Sequence, residues 1–337
     1  MKKAIVVFWF SLMLLSGLSS AESFNVLFVT DVGGLGDGNL NDGCWLGVQR
    51  AAKEFNIKAK VIQSFRQEDY LANISDGAKQ GDIVMVAGLL MSDVVAKAAL
   101  MYPKSQFVLI DALIDAPNVK CVLFKEEEGG FWAGLVAAAV TGSGKVGYVV
   151  GMKTSQAMRF VFGYEAGVRG YSILKGKDVK VLGAYVGTLN DAGKGKEVSL
   201  SLFNQGVDVV FQIAGRSGSG VIEAAKERGG RSFVIGVDLD PELMGSGNVL
   251  ASISRKVDVA AYLSLKDIFN GGFKGGVSRL GLREGGFDLV ETKILRGFLS
   301  QEDLDLIERL KGLVIDGVLV VPSSEEELAK FVPPKSL

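Results

Sequence analysis

The residues of this chain best placed to do chemistry are aspartates, and they recur at one kind of position. Asp31 closes the apolar run Asn25-Val26-Leu27-Phe28-Val29-Thr30. Asp111 follows Phe107-Val108-Leu109-Ile110 directly, and Asp238 follows Phe233-Val234-Ile235-Gly236-Val237 directly. A carboxylate straight after an apolar strand either caps the next element or points into a cleft. Three at strand mouths suit bidentate hydrogen bonding to vicinal hydroxyls or to a purine N–H edge. Carboxylates also take a hard cation, but the loops around these three lack EF-hand spacing.

Asp31 opens the run Asp31-Val32-Gly33-Gly34-Leu35-Gly36-Asp37-Gly38-Asn39-Leu40-Asn41-Asp42. Its glycines admit close backbone approach to a ligand, and Asp37 and Asn41 join Asp31 as candidate contacts. The plainer reading is a turn in which Asn41 or Asp42 caps the following helix. A phosphate loop is not expected, because the run lacks GxxxxGK[ST] and three acids repel phosphate. Ala214-Gly215-Arg216-Ser217-Gly218-Ser219-Gly220 follows another strand and opens a helix. That places Gly215 and Arg216 where backbone N–H groups receive polar or anionic ligand atoms. Arg255 precedes a helix after a loop, and its plainer reading is a surface charge.

These positions gain meaning from the elements that hold them. Short apolar strands alternate with amphipathic helices: a strand over 58–63, a helix over 70–80, a strand over 82–87, a helix over 92–102 and a strand over 106–110. The pattern restarts with an alanine-rich helix over 128–141. It continues through strands over 144–150, 179–185, 209–213 and 232–237, with helices over 157–174, 194–206 and 218–228. Helices over 257–270 and 301–311 and a strand over 287–290 follow, and a charged surface helix with a tail begins at Ser323. Such alternation predicts α/β units with parallel sheets covered on both faces. Two similar units predict two lobes across a cleft, with ligand beyond the carboxyl ends of the strands.

Composition narrows the chemistry. The 337 residues include no histidine, which removes imidazole as base, triad member or metal ligand. Cys44 and Cys121 are too far apart for a CxxC zinc site and leave either two buried thiols or one bridge. Glycine, at 44 residues, is about twice its usual share, without a repeat period. At the N-terminus, Lys2-Lys3, the apolar stretch 4–15 and Ser19-Ser20-Ala21 form a signal-peptide pattern with cleavage after Ala21. Without Lys2 and Lys3, 35 basic residues face 38 acidic ones, so nucleic acid and anionic lipid are not expected partners. No cysteine adjoins the cleavage site, so the expectation is an exported, periplasmic protein that is not lipidated.

Ordered blocks along the chain carry a resemblance. They include Gly33-Gly34 with Asp37, Asn41, Trp45 and Gly47; Phe107 to Asp111 with Ala116-Pro117-Asn118-Val119; and Glu128-Gly129 with Phe131, Ala133 and Gly134. Further on come Gly151-Met152, Phe160, Gly163 and Ala166-Gly167-Val168, then Lys194-Gly195-Lys196-Glu197. The last are Ala214-Gly215 with Gly218 and Gly220, and Ile235-Gly236-Val237-Asp238 with Asp240. The sequence resembles the basic membrane protein family, purine-nucleoside receptors of ABC importers. The resemblance implies a two-lobed type I periplasmic-binding fold: 22–125 with 255–285 as the N-terminal lobe, and 126–254 with 286–337 as the C-terminal lobe. It also implies that Asp31, Asn41, Asp111 and Asp238 contact base and ribose, and that Arg255, where the family usually has lysine, reaches the ribose. Two positions depart from the family. Leu40 stands where the family has a phenylalanine before the asparagine, and Leu89 stands where many members have an aromatic. An aromatic stack is worth about 1 kcal/mol beyond area burial. Another wall must therefore hold the base, or the ligand is not a purine nucleoside. Met91, Met158, Phe160, Phe211 and Tyr185 are candidates for that wall.

The expected function is an exported solute-binding receptor that captures a nucleoside by hinge closure and passes it to a permease and its ATPase. It would act as a monomer without cofactor or metal, meeting the membrane only through that complex. The alternatives are an aspartate- and cation-dependent nucleoside or sugar hydrolase using Asp31, Asp37 and Asp111, or a sugar- or autoinducer-sensing receptor of the same fold.

Overall fold

The computed structural model describes residues 25–334 except Asn39, Gly81 and Asp240, so the expected leader at 1–21 and its cleavage site lie outside the described residues. The chain first builds β1 (Asn25–Val29), α1 (Leu40–Phe55), β2 (Lys58–Ile62), α2 (Tyr70–Gln80), β3 (Ile83–Ala87) and α3 (Ser92–Met101). Then come β4 (Phe107–Ile110), β5 (Val119–Phe124), α4 (Glu126–Val140), β6 (Lys145–Val150), α5 (Ser155–Lys175) and β7 (Lys180–Tyr185). The middle of the second unit is α6 (Ala192–Asn204), β8 (Val209–Ile213), α7 (Gly218–Arg228), β9 (Phe233–Val237) and α8 (Pro241–Met244). The chain ends with β10 (Val249–Arg255), α9 (Val257–Gly271), β11 (Gly276–Leu280), β12 (Phe287–Glu291), α10 (Lys293–Arg296), α11 (Gln301–Ile315) and α12 (Glu325–Lys330).

These strands form two six-stranded sheets, ordered β11-β5-β4-β3-β1-β2 and β12-β10-β9-β8-β6-β7. The first is parallel throughout, as expected for strands such as β3 and β4 that are buried along their whole length. The second departs from the expected parallel sheet at one edge, where β12 runs antiparallel to β10. The protein is a two-lobed α/β molecule, one sheet to a lobe.

Three strands escaped the sequence reading: β5, β10 and β11. Serines interrupt β10 and β11, and β10 slips register against β9 between Val249 and Ala251. No clean alternation marks such strands. The correction matters at Arg255, which ends strand β10 rather than following a loop. These three strands are the ones from which the chain passes between sheets, after β5, after β10 and after β11. The passages are bound to one another. Lys125 N donates to Leu280 O at 2.9 Å, Lys256 N to Gly286 O at 2.9 Å, and Leu282 N to Glu128 Oε2 at 2.7 Å.

The helices α4 and α5 cross at backbone contact. Gly130 and Gly134 on α4 face the carbonyls of Phe160 and Tyr164, while Gly163 and Gly167 on α5 face those of Glu127 and Phe131. A Cβ at any of the four would overlap a carbonyl oxygen. Gly134→Ala must push the helices apart, and the expected loss is about 2–3 kcal/mol, in the overpacking range. Urea unfolding measures it; a change below 0.5 kcal/mol would mean that the crossing yields freely. Cys44 and Cys121 are both buried and free, which resolves the cysteine question toward two thiols.

Candidate functional site

The glycine-rich run after β1 is a loop whose acids hold its own backbone. Asp42 is not the cap of α1. It lies inside the first turn and accepts the N–H groups of Gly36 and Gly38, both at 2.8 Å. Asp37 does the capping, accepting from Asn41 N at 2.9 Å and Asp42 N at 3.1 Å. Asn41 is buried, and its amide donates to Asp31 Oδ1 at 2.8 Å and Asp37 Oδ2 at 3.0 Å. Its Oδ1 accepts the Asp31 N–H at 3.3 Å. Asn41 therefore orients Asp31, whose Oδ2 has no hydrogen-bond partner among the described residues. The Tyr70 hydroxyl accepts the Val32 N–H at 3.0 Å and pins the loop to α2.

The other two strand-end aspartates meet at one arginine. Asp111 leaves β4 in the first lobe and Asp238 leaves β9 in the second. Both have left-handed backbones, with φ of 61° and 48°. That region is sparsely populated by residues other than glycine, and aspartate is among those that tolerate it. Their own N–H groups are fixed to the neighbouring strands, Asp111 N to Val122 O at 2.8 Å and Asp238 N to Ile253 O at 2.9 Å. The Arg255 backbone N–H donates to Asp238 Oδ1 at 2.8 Å and its Nε to Asp238 Oδ2 at 2.7 Å. Its Nη1 donates to Asp111 Oδ2 at 2.7 Å. One guanidinium thus spans both lobes, with the Phe124 ring 5.8 Å from Cζ. Burial draws the Arg255 proton affinity down, but Asp111 and Asp238 more than offset it and hold the pKa above the usual arginine value. Gln156 adds a second cross-lobe bond, Nε2 to Asp111 Oδ1 at 3.3 Å.

Beside this bridge lies a cavity of about 520 Å³, within the usual range for small-ligand sites. Leu89 lines it from the first lobe, and Arg255, Asp238, Gly215 and Arg216 also line it, whereas Asp31, Asp37, Asn41 and Asp111 do not. The second lobe supplies an apolar wall that includes Met152, Phe160, Leu189, Val237 and Leu243, none of them among the sequence candidates except Phe160. Leu189 packs over Gly151 and Gly215, and this accounts for two of the glycines. Gly215 also has a φ of 57°, where glycine is at ease.

Several sequence candidates fall elsewhere. Met158 does not line this cavity; with Tyr148, Tyr185 and Glu165 it lines a groove on another face of α5. The reason is helical rotation, because about 100° separates it from Ala157, which faces the cleft. Tyr185 goes with Met158, whereas Met91 and Phe211 are fully buried. Leu40 is half-buried and packs beside Gly88, next to Leu89 but outside the cavity wall. Among the described residues, no group of three or more histidine, cysteine or acidic side chains converges in a way that could hold a metal ion.

A family model for ABC transporter substrate-binding proteins of the PnrA-like type, Bmp, matches residues 24–324. The chain belongs to this family. The Bmp relatives include the ABC transporter nucleoside-binding protein BmpA of Lactococcus lactis, 32% identical over 317 residues and covering 88% of each chain. Basic membrane protein A of Borreliella burgdorferi is 29% identical, over 94% of this chain and 93% of its own. Among solved structures, a solute-binding protein of an ABC transporter system from Aeropyrum pernix superposes with a TM-score of 0.70 at 29% identity, over 91% of this chain and 96% of its own. The arabinose-binding protein AraP of Geobacillus stearothermophilus superposes with a TM-score of 0.66 at 16% identity, over 82% of this chain and all of its own, and shares the fold alone. The Bmp chain described here is an ABC transporter substrate-binding protein with the type I periplasmic-binding fold.

Proposed function

We propose that this Bmp protein captures a nucleoside in the cleft between its lobes and delivers it to an ABC permease for import. The observation that carries the reading is the Asp111–Arg255–Asp238 bridge, whose Arg255 and Asp238 line an apolar-walled cavity. Carboxylates held at strand ends suit ribose hydroxyls, and the apolar wall suits a base. The BmpA name of the Lactococcus relative supports the same ligand class. In this reading Asp31, Leu89, Asp111, Asp238 and Arg255 meet the ligand, Asn41 positions Asp31, and the lobes are 22–125 with 256–285 and 126–255 with 286–337, one residue from the expected boundary because Arg255 ends β10. The protein binds and releases without chemistry. Export belongs to the same reading.

Calorimetry with adenosine, inosine and guanosine tests it, together with mass spectrometry of ligand retained on purification. Free nucleoside at a hundred times Kd is expected to raise unfolding stability by about 2.7 kcal/mol. A response to a sugar and to no nucleoside would overturn the ligand class, and release of free base would overturn the binding-only reading. Asp238→Asn keeps a side chain that tolerates φ > 0 while removing the charge. It is expected to weaken nucleoside binding ten- to a hundredfold; unchanged affinity would remove Asp238 from the site.

A further inference from the structure

Gln212 lies on β8, one residue before the strand ends, and is 2% exposed. It lines the cleft cavity. Its Oε1 accepts the Ala214 backbone N–H at 3.2 Å. A backbone N–H only donates, so the carbonyl end of the carboxamide must face it, and this fixes which way the amide points. Nε2 is left over. It has no hydrogen-bond partner among the described residues, yet it is not one of the sealed side-chain atoms that lack a partner. The amide has a prepared seat, because any side chain at Gly218 would overlap Gln212 Oε1.

The surroundings give the amide its importance. Ile213, Ala214 and Val237 beside it are apolar. Three other polar side chains of the cavity are engaged, Gln156 Nε2 on Asp111 and Asp238 with Arg255 on each other, while Arg216 is exposed and Gln212 is the buried donor. An amide donor that opens on a cavity and is engaged by no protein group is free to be taken by a ligand acceptor.

We propose that Gln212 is a specificity-determining residue whose Nε2 donates to an acceptor atom of the ligand. In the nucleoside reading, on which this inference rests, that atom is a carbonyl oxygen or ring nitrogen of the base. With Oε1 turned to the Ala214 N–H, it is the Nε2 donors that the side chain presents to a ligand. A ligand presenting an amino group at this point meets donor against donor and is disfavoured.

Calorimetry of the full chain with inosine and with its analogues lacking O6, N7 or N3 tests this, in the wild type and in Gln212→Met. In the wild type one analogue is expected to bind about tenfold more weakly than inosine. In Gln212→Met inosine itself falls about tenfold, and the same atomic deletion costs nothing further. The wild-type series needs no substitution, so it stands even if Gln212→Met fails to fold. Less than a twofold loss for all three analogues in the wild type overturns the inference while the nucleoside reading stands. So does inosine affinity in folded Gln212→Met equal to wild type. No binding of inosine, adenosine or guanosine to the wild type overturns the nucleoside reading, and this inference with it.

Discussion

Arg255→Met is expected to cost about 2–4 kcal/mol of stability and to loosen the two lobes from each other. The variant keeps the length of the stem and removes the cation. It leaves Asp111 and Asp238 facing each other across the cleft, each carboxylate only 13% exposed. Removing one member of a buried ion pair strands the other's charge, and this costs more than the pair itself contributes. Here it takes the guanidinium from two carboxylates at once, leaving Asp238 the backbone N–H of residue 255 and Asp111 the Gln156 amide. Arg255→Lys separates charge from geometry. An ammonium supplies one point charge, whereas the guanidinium fork reaches both carboxylates in fixed directions. Lysine should therefore recover part of the stability but not the tie between lobes. Urea unfolding reads the first effect, and small-angle scattering without ligand reads the second as a larger radius of gyration for both variants. A loss below 1 kcal/mol for Arg255→Met, with unchanged scattering, would mean that the bridge does not hold the lobes.

The bridge also shows where sequence reasoning succeeded and where it stopped. Asp111 and Asp238 were legible because each follows an uninterrupted apolar strand, and a strand end is a fixed place in an α/β sheet. That Arg255 would meet both was not legible. Its strand, Val249–Arg255, carries two serines and a register slip, and its partners lie 144 and 17 positions away. The acids of the first loop were visible as a group, but not their division of labour. Asp37 and Asp42 spend their oxygens on N–H groups of the loop and the first helical turn, and only the folded loop shows which carboxylate takes which donor. The cavity wall was the least legible part. Leu189, Met152 and Leu243 come from three different strand-following segments, and an apolar residue in a loop or in a four-residue helix carries no periodic signal. Gln212 had a signal that went unused: a lone polar residue inside the apolar strand Val209–Ile213. A polar side chain in a strand buried on both faces must find a partner or a purpose.

Glu126→Gln is expected to stabilise the protein at pH 8 by roughly 3 kcal/mol and to change little below pH 4.5. Glu126 opens α4, where the chain has just left the first sheet, and is 1% exposed. Neither carboxylate oxygen has a hydrogen bond, although Oε2 lies 3.3 Å from Arg159 Nε. Arg159 spends its good geometry on Glu127, at 2.9 Å and 2.8 Å. Burial, aided by the charge of Asp111, pushes the Glu126 carboxyl from 4.5 up to about 7, although the charges of Arg159 and Arg255 pull the other way. The folded protein therefore holds a proton that the unfolded chain releases. Where the native state binds more protons, stability falls as pH rises. The contribution is complete below 4.5 and is lost as pH passes through about 7. Burial raises Glu127 as well, with the same sign, whereas Asp303, lowered to about 2, acts only in more acidic solution. Subtracting the wild-type curve from that of Glu126→Gln cancels these shared contributions. Guanidinium unfolding at intervals from pH 4.5 to 8.5 should give a difference that climbs through the window and then levels off. A difference independent of pH would mean that Glu126 is ionised in the folded protein throughout, with Arg159 and Arg255 outweighing its burial.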